Sequence, residues 1–235
     1  ARGGGWAERT GPGAVAEAGG ELAILWRLMA GGGAGEGERE LRAGEGTGWR
    51  PTDLVGQSRD GCTLGLIGLG RIAQGTAARA RGLGMRILYF SRSPAATEIE
   101  AALGASRVDT AEALMAEADV VSLHIPGGRA THHFVDAVLL AKAKPGAILV
   151  NTARGSVVDE AALVAALAEG RIAAAGLDVY ENEPTVSAAL LASPRTVLLP
   201  HLGSATKGAR EAMGMQAVDN LDAFFAGRAL PDRVA

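Results

Sequence analysis

Short apolar runs alternate along most of this chain with longer segments in which apolar residues recur at helical spacing. The runs are of the kind that form buried parallel strands, and they lie at 64–67, 86–90, 119–124, 146–150, 173–179 and 196–199. Helices are predicted between and after them, at 71–83, 97–103, 111–118, 134–141, 158–169, 187–192 and 206–226. Because regular alternation of strand and helix implies right-handed crossovers, the pattern predicts an α/β fold with a doubly wound parallel sheet of the Rossmann type.

The part of the chain before the first predicted strand is patterned differently. Residues 1–20 are rich in Gly, Ala and Arg and show no sustained period, so we expect a disordered or artefactual leader there. Residues 21–30 have helical spacing, but three glycines follow at 31–33, and each costs a helix about 1 kcal/mol relative to Ala. A helix resumes at 36–43, and residues 46–61 are predicted to form an extended arm that leads into the first strand.

The turn after the first predicted strand carries the sequence Gly68-Leu-Gly70-Arg-Ile-Ala73, a G-x-G-x-x-A pattern. Gly68 allows a tight turn, Gly70 lets the backbone approach a pyrophosphate, and Ala73 lets the following helix pack closely on the strand. The N-terminus of that helix offers free N–H groups and the positive end of a dipole to the phosphates. Because strand, turn, helix and second strand come in the required order, we predict dinucleotide binding rather than a chance glycine-rich turn.

Composition narrows the class of protein. A hydrophobic content of 48% predicts a sizeable core, and a net charge of −3 gives no argument for a nucleic-acid or membrane partner. Cys62 is the single cysteine, so we expect no disulfide framework and no cysteine-based metal site, and we assign no metal ligands. The sequence has no signal-peptide pattern and no apolar run as long as a membrane span, and a cytoplasmic protein is the default expectation.

Polar side chains follow three of the predicted strands, where such sheets bind and react. Arg154 follows one strand, Glu183 lies in the loop after the next, and His201 follows the last. A hydride that arrives on a ketone carbon leaves an alkoxide in need of a proton, and His is a natural donor near pH 7. A carboxylate favours the charged form of that His, and a guanidinium can clamp a substrate carboxylate with two bonds. Each residue alone is ordinary, but together they indicate carbonyl reduction.

Other histidines and the tryptophans are weaker signals. His124 ends a predicted strand near the cofactor and could contact it. His132 and His133 are expected to be exposed on a turn before a helix. Trp26 and Trp49 are expected to be buried at a domain or subunit contact rather than in a ligand site.

The loop after the second strand predicts which cofactor is used. In NAD-dependent versions of this fold, an acidic residue about 20 positions after the glycines binds the ribose 2′-OH. Here the loop reads Ser91-Arg92-Ser93, which can form a compact site for a 2′-phosphate. We therefore expect NADP as cofactor, with NAD possible; the competing interpretation is that Arg92 is only a solvated loop residue.

Residues 61–206 resemble the nucleotide-binding domain of the D-isomer-specific 2-hydroxyacid dehydrogenases, in the branch of glyoxylate/hydroxypyruvate reductases and D-glycerate dehydrogenases. The matching segments are GLIGLGRIAQ at 65–74, KPGAILVNTARG at 144–155, AAGLDVY at 174–180 followed by Glu183-Pro184, and LPHLGSAT at 199–206. The resemblance implies that Arg154 binds and polarises a small 2-oxo acid and that His201 is the acid/base. Glu183 would orient His201 and keep it protonated.

The same resemblance implies further roles and an arrangement of domains. Asp178 would face the nicotinamide carboxamide, Ser204 would contact the substrate, and the cofactor would be lined by Gly68, Gly70, Arg71, Ile72, Thr152 and Gly203. Residues 21–205 would be the dinucleotide-binding domain, within which 21–61 form the helix and arm of a homodimer. Residues 206–235 would be a helix that returns to a substrate domain, and most of that N-terminal substrate domain is expected to be missing.

Alternatives of other classes stay open. Similar folds serve as dinucleotide-sensing corepressors, which act through partners without turnover. The chain could also be a truncated, inactive Rossmann domain. A formate-dehydrogenase-like enzyme is a further alternative, but that branch replaces the Glu of the pair by Gln, and Glu183 argues against it.

Overall fold

The computed structural model describes residues 12–46, 48–56 and 60–231. In these ranges the helices are α1 Pro12–Gly31, α2 Ala34–Ala43, α3 Arg71–Gly82, α4 Thr97–Leu103, α5 Ala111–Glu117, α6 Ala137–Leu140, α7 Glu160–Ala168, α8 Ala188–Ala192 and α9 Lys207–Phe225. The strands are β1 Thr63–Ile67, β2 Arg86–Phe90, β3 Ala105–Arg107, β4 Val120–Leu123, β5 Ala147–Asn151, β6 Ile172–Leu177 and β7 Thr196–Leu198. A 3₁₀ turn spans Gly155–Val157.

The strands form one sheet in the order β3-β2-β1-β4-β5-β6-β7, and every neighbouring pair is parallel. The strand order reverses between β1 and β4, because the chain leaves β3 and crosses back to the other side of β1. In open α/β sheets, ligands bind in the crevice outside the carboxyl ends of the strands at such a switch point. The predicted doubly wound parallel sheet is therefore confirmed, and its topology places one candidate site at the β1–β4 boundary.

Strands at the centre of the sheet are covered on both faces, as their nearly continuous apolar runs predict. All residues of β1, β4 and β5 are buried. One face packs against a core that includes Leu114, Leu149 and Leu163, and the other against a core that includes Trp26 and Tyr89. The two cores fix the sheet between helical layers and leave its carboxyl edge open for chemistry.

The N-terminal helix is longer than the sequence pattern predicts. α1 begins at Pro12, so residues 12–20, expected to belong to a disordered or artefactual leader, are helical; residues 1–11 lie outside the described ranges. Glycines in this stretch let α1 and α3 approach closely, because a Cβ at Gly20 would lie 2.9 Å from the backbone carbon of Gly75. Arg79 of α3 also donates to Glu21 at 3.1 Å. The glycines that suggested disorder in the sequence therefore allow α1 and α3 to pack closely.

The predicted break after this helix is confirmed, but the expectation for one tryptophan is wrong. α1 ends at Gly31, and Gly33, with φ of +67°, directly precedes α2. Within the described part of the chain Trp26 is fully buried, where it packs on β6 at Gly176, and none of its surface is left exposed for a subunit contact. Trp49 is 87% exposed in the described part of the chain.

The sequence pattern missed one short strand and placed the start of one helix too early. The short edge strand β3 was not predicted, because Ala105-Ser-Arg107 is neither long nor apolar. α6 starts at Ala137 rather than at residue 134, because the Asp136 side chain caps it by accepting from the Leu139 N–H at 2.8 Å. None of the described helices is both long and apolar enough to cross a membrane.

The packing of Trp26 against Gly176 gives a prediction about stability. A Cβ at Gly176 would lie 2.8 Å from Cδ1 and 2.9 Å from Cβ of Trp26, so Gly176→Ala should lower the free energy of unfolding by about 1–3 kcal/mol. Gly208→Ala is the matched control, because a Cβ there meets nothing within 4 Å and Ala favours the helix. Urea unfolding measures both, and equal stability of the two variants would refute the packing of α1 on β6.

Candidate active site

The glycine turn after β1 brings three loops into contact. Gly68 has φ of +94°, and its N–H donates to the Phe90 carbonyl at 2.8 Å. A Cβ at Gly68 would lie only 2.7 Å from the carbonyl oxygen of His124, so no larger residue fits this turn. The loops that follow β1, β2 and β4 therefore meet at the switch point of the sheet.

An open cleft of about 800 Å³ lies at this point. Its lining includes the predicted cofactor residues Gly70, Arg71, Ile72, His124 and Thr152, together with the predicted substrate residue Arg154. Gly70 caps the N-terminus of α3, and a Cβ there would meet nothing within 4 Å, so the free N–H groups of the helix open into accessible space. The buried Thr152 Oγ1 has no hydrogen-bond partner among the described residues. These features fit a dinucleotide.

His124 is held neutral at this cleft. Its Nε2 lies 2.9 Å from Ser122 Oγ, and burial lowers its pKa from 6.5 to about 4. Near pH 7 the ring therefore carries no charge into the cleft.

Asp178, at the carboxyl end of β6, organises the loop that contains His201. Its wholly buried carboxylate accepts from the N–H groups of Leu202 and Gly203, each at 2.7 Å. Its backbone carbonyl also accepts from the His201 N–H at 2.9 Å. Burial raises the pKa of Asp178, and the two N–H bonds oppose that rise. Since both carboxylate oxygens accept hydrogen bonds from this loop, Asp178 positions the backbone around His201.

His201 and Glu183 form a hydrogen-bonded pair. His201 Nδ1 lies 2.9 Å from Glu183 Oε2, and Glu183 Oε1 accepts from the Tyr180 N–H at 3.0 Å. Burial alone would raise the pKa of Glu183, but these two hydrogen bonds together with the positive charges of His201 and Arg154 outweigh burial, and its pKa is lowered. Half of the His201 side chain is exposed, and with Nδ1 engaged, Nε2 is the ring nitrogen left for proton transfer.

Two residues that were not predicted shape the loop that contains Arg154 and its contact with the next loop. Asn151 Oδ1 accepts from the Ala153 N–H, and Asn151 Nδ2 donates to the Arg154 carbonyl, both at 3.0 Å. A Cβ at Gly155 would lie 1.9 Å from the backbone of Tyr180, so only glycine allows the loops after β5 and β6 to touch. The available signal was their position, since Asn151 ends a buried strand three residues before Arg154 and Gly155 directly follows it.

A third group of predicted residues lies at the carboxyl end of β2. Ser91 Oγ donates to the Ser93 carbonyl at 2.5 Å, and Arg92 is exposed. Arg107, at the end of β3, donates from Nη2 to the Ser91 carbonyl at 3.3 Å. Arg107 adds a second guanidinium to this loop, and the sequence analysis missed it because β3 was not predicted.

The remaining predicted residues are placed as follows. Gly203 is held by Asp178, and the Ser204 carbonyl accepts from Arg210 Nε at 3.1 Å. His132 is exposed as expected, whereas His133 is not simply exposed, because its Nε2 lies 2.5 Å from Glu181 Oε1. The site thus has a nucleotide-sized cleft beside Arg154 and a His–Glu pair on the neighbouring loops.

Such a sheet and such a pair define the nucleotide-binding unit of an oxidoreductase. The profile of the D-isomer specific 2-hydroxyacid dehydrogenase family, NAD binding domain, matches residues 26–203. The chain belongs to this family.

Sequence and structural similarity to other proteins supports this assignment. A glyoxylate reductase of Thermococcus litoralis is 43% identical over 227 residues, which cover 95% of this chain and 68% of that protein. A glycerate dehydrogenase of Hyphomicrobium methylovorum is 41% identical over 216 residues, covering 92% of this chain and 67% of that protein. The structure of an NADPH-dependent glyoxylate/hydroxypyruvate reductase from Sinorhizobium meliloti, solved with NADP and malonate, superposes with a TM-score of 0.86 at 39% identity, over 94% of this chain and 68% of that one. The chain thus spans about two thirds of the length of these relatives.

The neutral His124 predicts how stability depends on pH. Above pH 6.5 neither state binds its proton, but between pH 6.5 and about 4 the unfolded chain binds a proton that the folded chain does not. The free energy of unfolding should therefore fall as the pH drops through this window. Replacement of the ring in His124→Gln should make the fall between pH 7.5 and pH 5 smaller, as urea unfolding at both pH values can measure. An identical fall in both proteins would contradict a His124 that is neutral in the folded chain.

Proposed function

We propose that this chain is the nucleotide-binding part of an NADPH-dependent reductase that converts a small 2-oxo acid, glyoxylate or hydroxypyruvate, to the D-2-hydroxy acid. The observation that carries this proposal is the hydrogen bond between His201 Nδ1 and Glu183 Oε2, which is 2.9 Å long. Glu183 lies on the loop that touches the Arg154 loop. The similarity to the glyoxylate reductase of Thermococcus litoralis and the glyoxylate/hydroxypyruvate reductase of Sinorhizobium meliloti supports the substrate class.

In this proposal the cleft at the switch point holds the dinucleotide. The free N–H groups at the start of α3, around Gly70, Arg71 and Ile72, bind its pyrophosphate. The unpartnered hydroxyl of Thr152 and the neutral ring of His124 lie further along the same cleft. The bound cofactor supplies a hydride to the 2-oxo carbon.

The protein residues then handle the charges of the substrate. Arg154 binds the substrate carboxylate with two parallel hydrogen bonds and draws electron density from the 2-oxo group. His201 Nε2 gives a proton to the oxygen that becomes an alkoxide. Glu183, whose lowered pKa keeps it ionised, accepts from Nδ1 and stabilises the imidazolium that donates that proton.

Replacement of the proton donor tests this chemistry. We expect His201→Asn to lower kcat by about 10²–10⁴-fold, the usual contribution of general acid–base catalysis. Arg154→Lys should raise KM and lower kcat, because an ammonium group cannot replace a planar guanidinium that donates two parallel hydrogen bonds. The assay is oxidation of NADPH with glyoxylate or hydroxypyruvate.

The assay uses the chain alone and the chain joined to the segment of the Thermococcus litoralis enzyme that the match leaves uncovered. Turnover of His201→Asn close to that of the unchanged protein would remove His201 as donor. Cofactor binding without turnover in either form would favour a corepressor-like or inactive nucleotide-binding domain.

The preference for NADPH depends on the loop after β2. Ser91 directly follows Phe90, whose carbonyl accepts from the Gly68 N–H at 2.8 Å, so this loop adjoins the glycine turn. Positions 91–93 hold the exposed Arg92 and no carboxylate. Arg107, which also pairs with Asp109 at 3.4 Å, contacts the Ser91 carbonyl and is a second cation beside this loop. A 2′-phosphate would be attracted to this loop, whereas an Asp at its start would repel it.

Substitution in this loop should change the cofactor. A hydrogen bond to a charged group contributes about 1.5–3 kcal/mol, so Arg92→Ala should weaken NADPH binding by about tenfold or more and leave NADH binding nearly unchanged. Ser91→Asp combined with Arg92→Ala should shift the preference to NADH. Fluorescence titration of both cofactors measures the ratio, and Arg228→Ala, the same charge change at an exposed site beyond α9, is the control. Tighter binding of NADH than NADPH by the unchanged chain would refute the NADPH assignment.

We also propose a homodimer formed through α2 and the arm. Leu41, Trp49 and Val55 are 75%, 87% and 74% exposed, which is more apolar surface than a free arm ordinarily carries. Light scattering should give twice the chain mass, and Trp49→Ser should shift the protein toward monomer. A monomer at high micromolar concentration would refute the pairing.

A further inference from the structure

A second group of ligand-bearing side chains lies outside the proposed catalytic set. His132, His133 and Glu181 each offer one nitrogen or oxygen atom, and these atoms lie within 4.8 Å of one another. The two imidazole rings stack with centroids 3.9 Å apart, and His133 Nε2 is 2.5 Å from Glu181 Oε1. None of these three side chains has a role in the proposed reduction.

The backbone on both sides of this cluster is fixed by hydrogen bonds. The His133 N–H donates to the Ser156 carbonyl at 2.8 Å, and the Glu181 N–H donates to Glu160 Oε1 at 2.6 Å. His133 also has φ of +50°, a conformation that non-glycine residues rarely adopt and that needs support from its surroundings. The fold therefore brings the loop before α6 and the loop after β6 together before any ligand arrives.

We propose that His132, His133 and Glu181 bind one late first-row divalent metal ion, with Zn²⁺ as the type. Imidazole nitrogen and carboxylate oxygen are the ligands that such ions prefer, and two histidines with one carboxylate leave a fourth position for water. Around a tetrahedral ion with bonds of about 2.1 Å, ligand atoms lie about 3.4 Å apart. The three ligand atoms lie within 4.8 Å of one another, so to reach this spacing the exposed His132 ring must turn and the 2.5 Å separation of His133 Nε2 and Glu181 Oε1 must widen.

A metal at this position would brace two loops of the proposed active site without taking part in the reaction. Glu181 lies two residues before Glu183. The backbone of Tyr180 and Glu181 lies against Gly155, which directly follows Arg154. The ion would thus connect the segment before α6 to the loop that contains Glu183.

Titration of the metal-free chain with Co²⁺, followed by visible absorption, tests the site directly. We expect one equivalent to bind with the spectrum of nitrogen and oxygen ligands, and Zn²⁺ to displace it. His133→Ala and Glu181→Gln should each weaken binding by about tenfold or more. His201→Asn and Cys62→Ser, which alter the other exposed His–Glu pair and the single cysteine, should bind as the unchanged chain does.

Thermal unfolding gives a second readout that needs no turnover. Ligand binding to the folded state raises Tm as the ligand concentration rises, so Zn²⁺ should raise the Tm of the unchanged chain and not that of His132→Ala. His132 is exposed, so this variant is expected to fold even if His133→Ala does not. Equal Co²⁺ affinity in His132→Ala and the unchanged chain, or loss of binding in His201→Asn, would overturn the proposal, whereas the proposed reduction would stand.

Discussion

The close approach of loops at the carboxyl edge of the sheet is the constraint on which the rest of the site depends. At two positions this approach leaves no room for a side chain: a Cβ at Gly68 would lie 2.7 Å from the carbonyl oxygen of His124, and a Cβ at Gly155 would lie 1.9 Å from the backbone of Tyr180. The first contact closes the turn beside the nucleotide-sized cleft. The second brings the Arg154 loop against the loop that leads to Glu183. Parallel strands bring these loops to one edge, and the two glycines let them touch.

A buried carboxylate links this edge to the chemistry we propose. Asp178 is fully buried, and it accepts two backbone N–H bonds from the loop that contains His201, whose φ is +56°. A non-glycine residue in this region is strained, and such strain persists only where surrounding contacts impose it. We infer that the loop is held rigid so that the imidazole meets Glu183 in one orientation. Burial of the Asp178 carboxylate is energetically unfavourable. The buried carboxylate in turn fixes the position of the His201 side chain.

Much of the fold could be predicted because apolar periodicity is a local property. β2 and α4 begin and end where the pattern places them. β3 could not be predicted, because a short edge strand gains its stability from pairing with β2 rather than from its own residues. The first turns of α1 were missed for a related reason, since their glycines reveal a function only once α3 lies against them.

In the candidate site, too, residues marked by a local sequence pattern could be predicted, and residues that act through tertiary contacts could not. Arg154, Glu183 and His201 could be named because each follows a strand, and parallel strands end at one edge. Gly155 and Arg107 act through contacts with residues on other loops, and these contacts require the tertiary structure. Asn151 instead bonds within its own loop, to the Ala153 N–H and the Arg154 carbonyl. A crystal structure of this chain with NADP⁺ tests the account most directly. We predict the pyrophosphate on the N–H groups that begin α3, the 2′-phosphate at Ser91 and Arg92, and the nicotinamide toward Thr152. A dinucleotide bound outside this cleft, or with its 2′-phosphate turned away from Arg92, would contradict it.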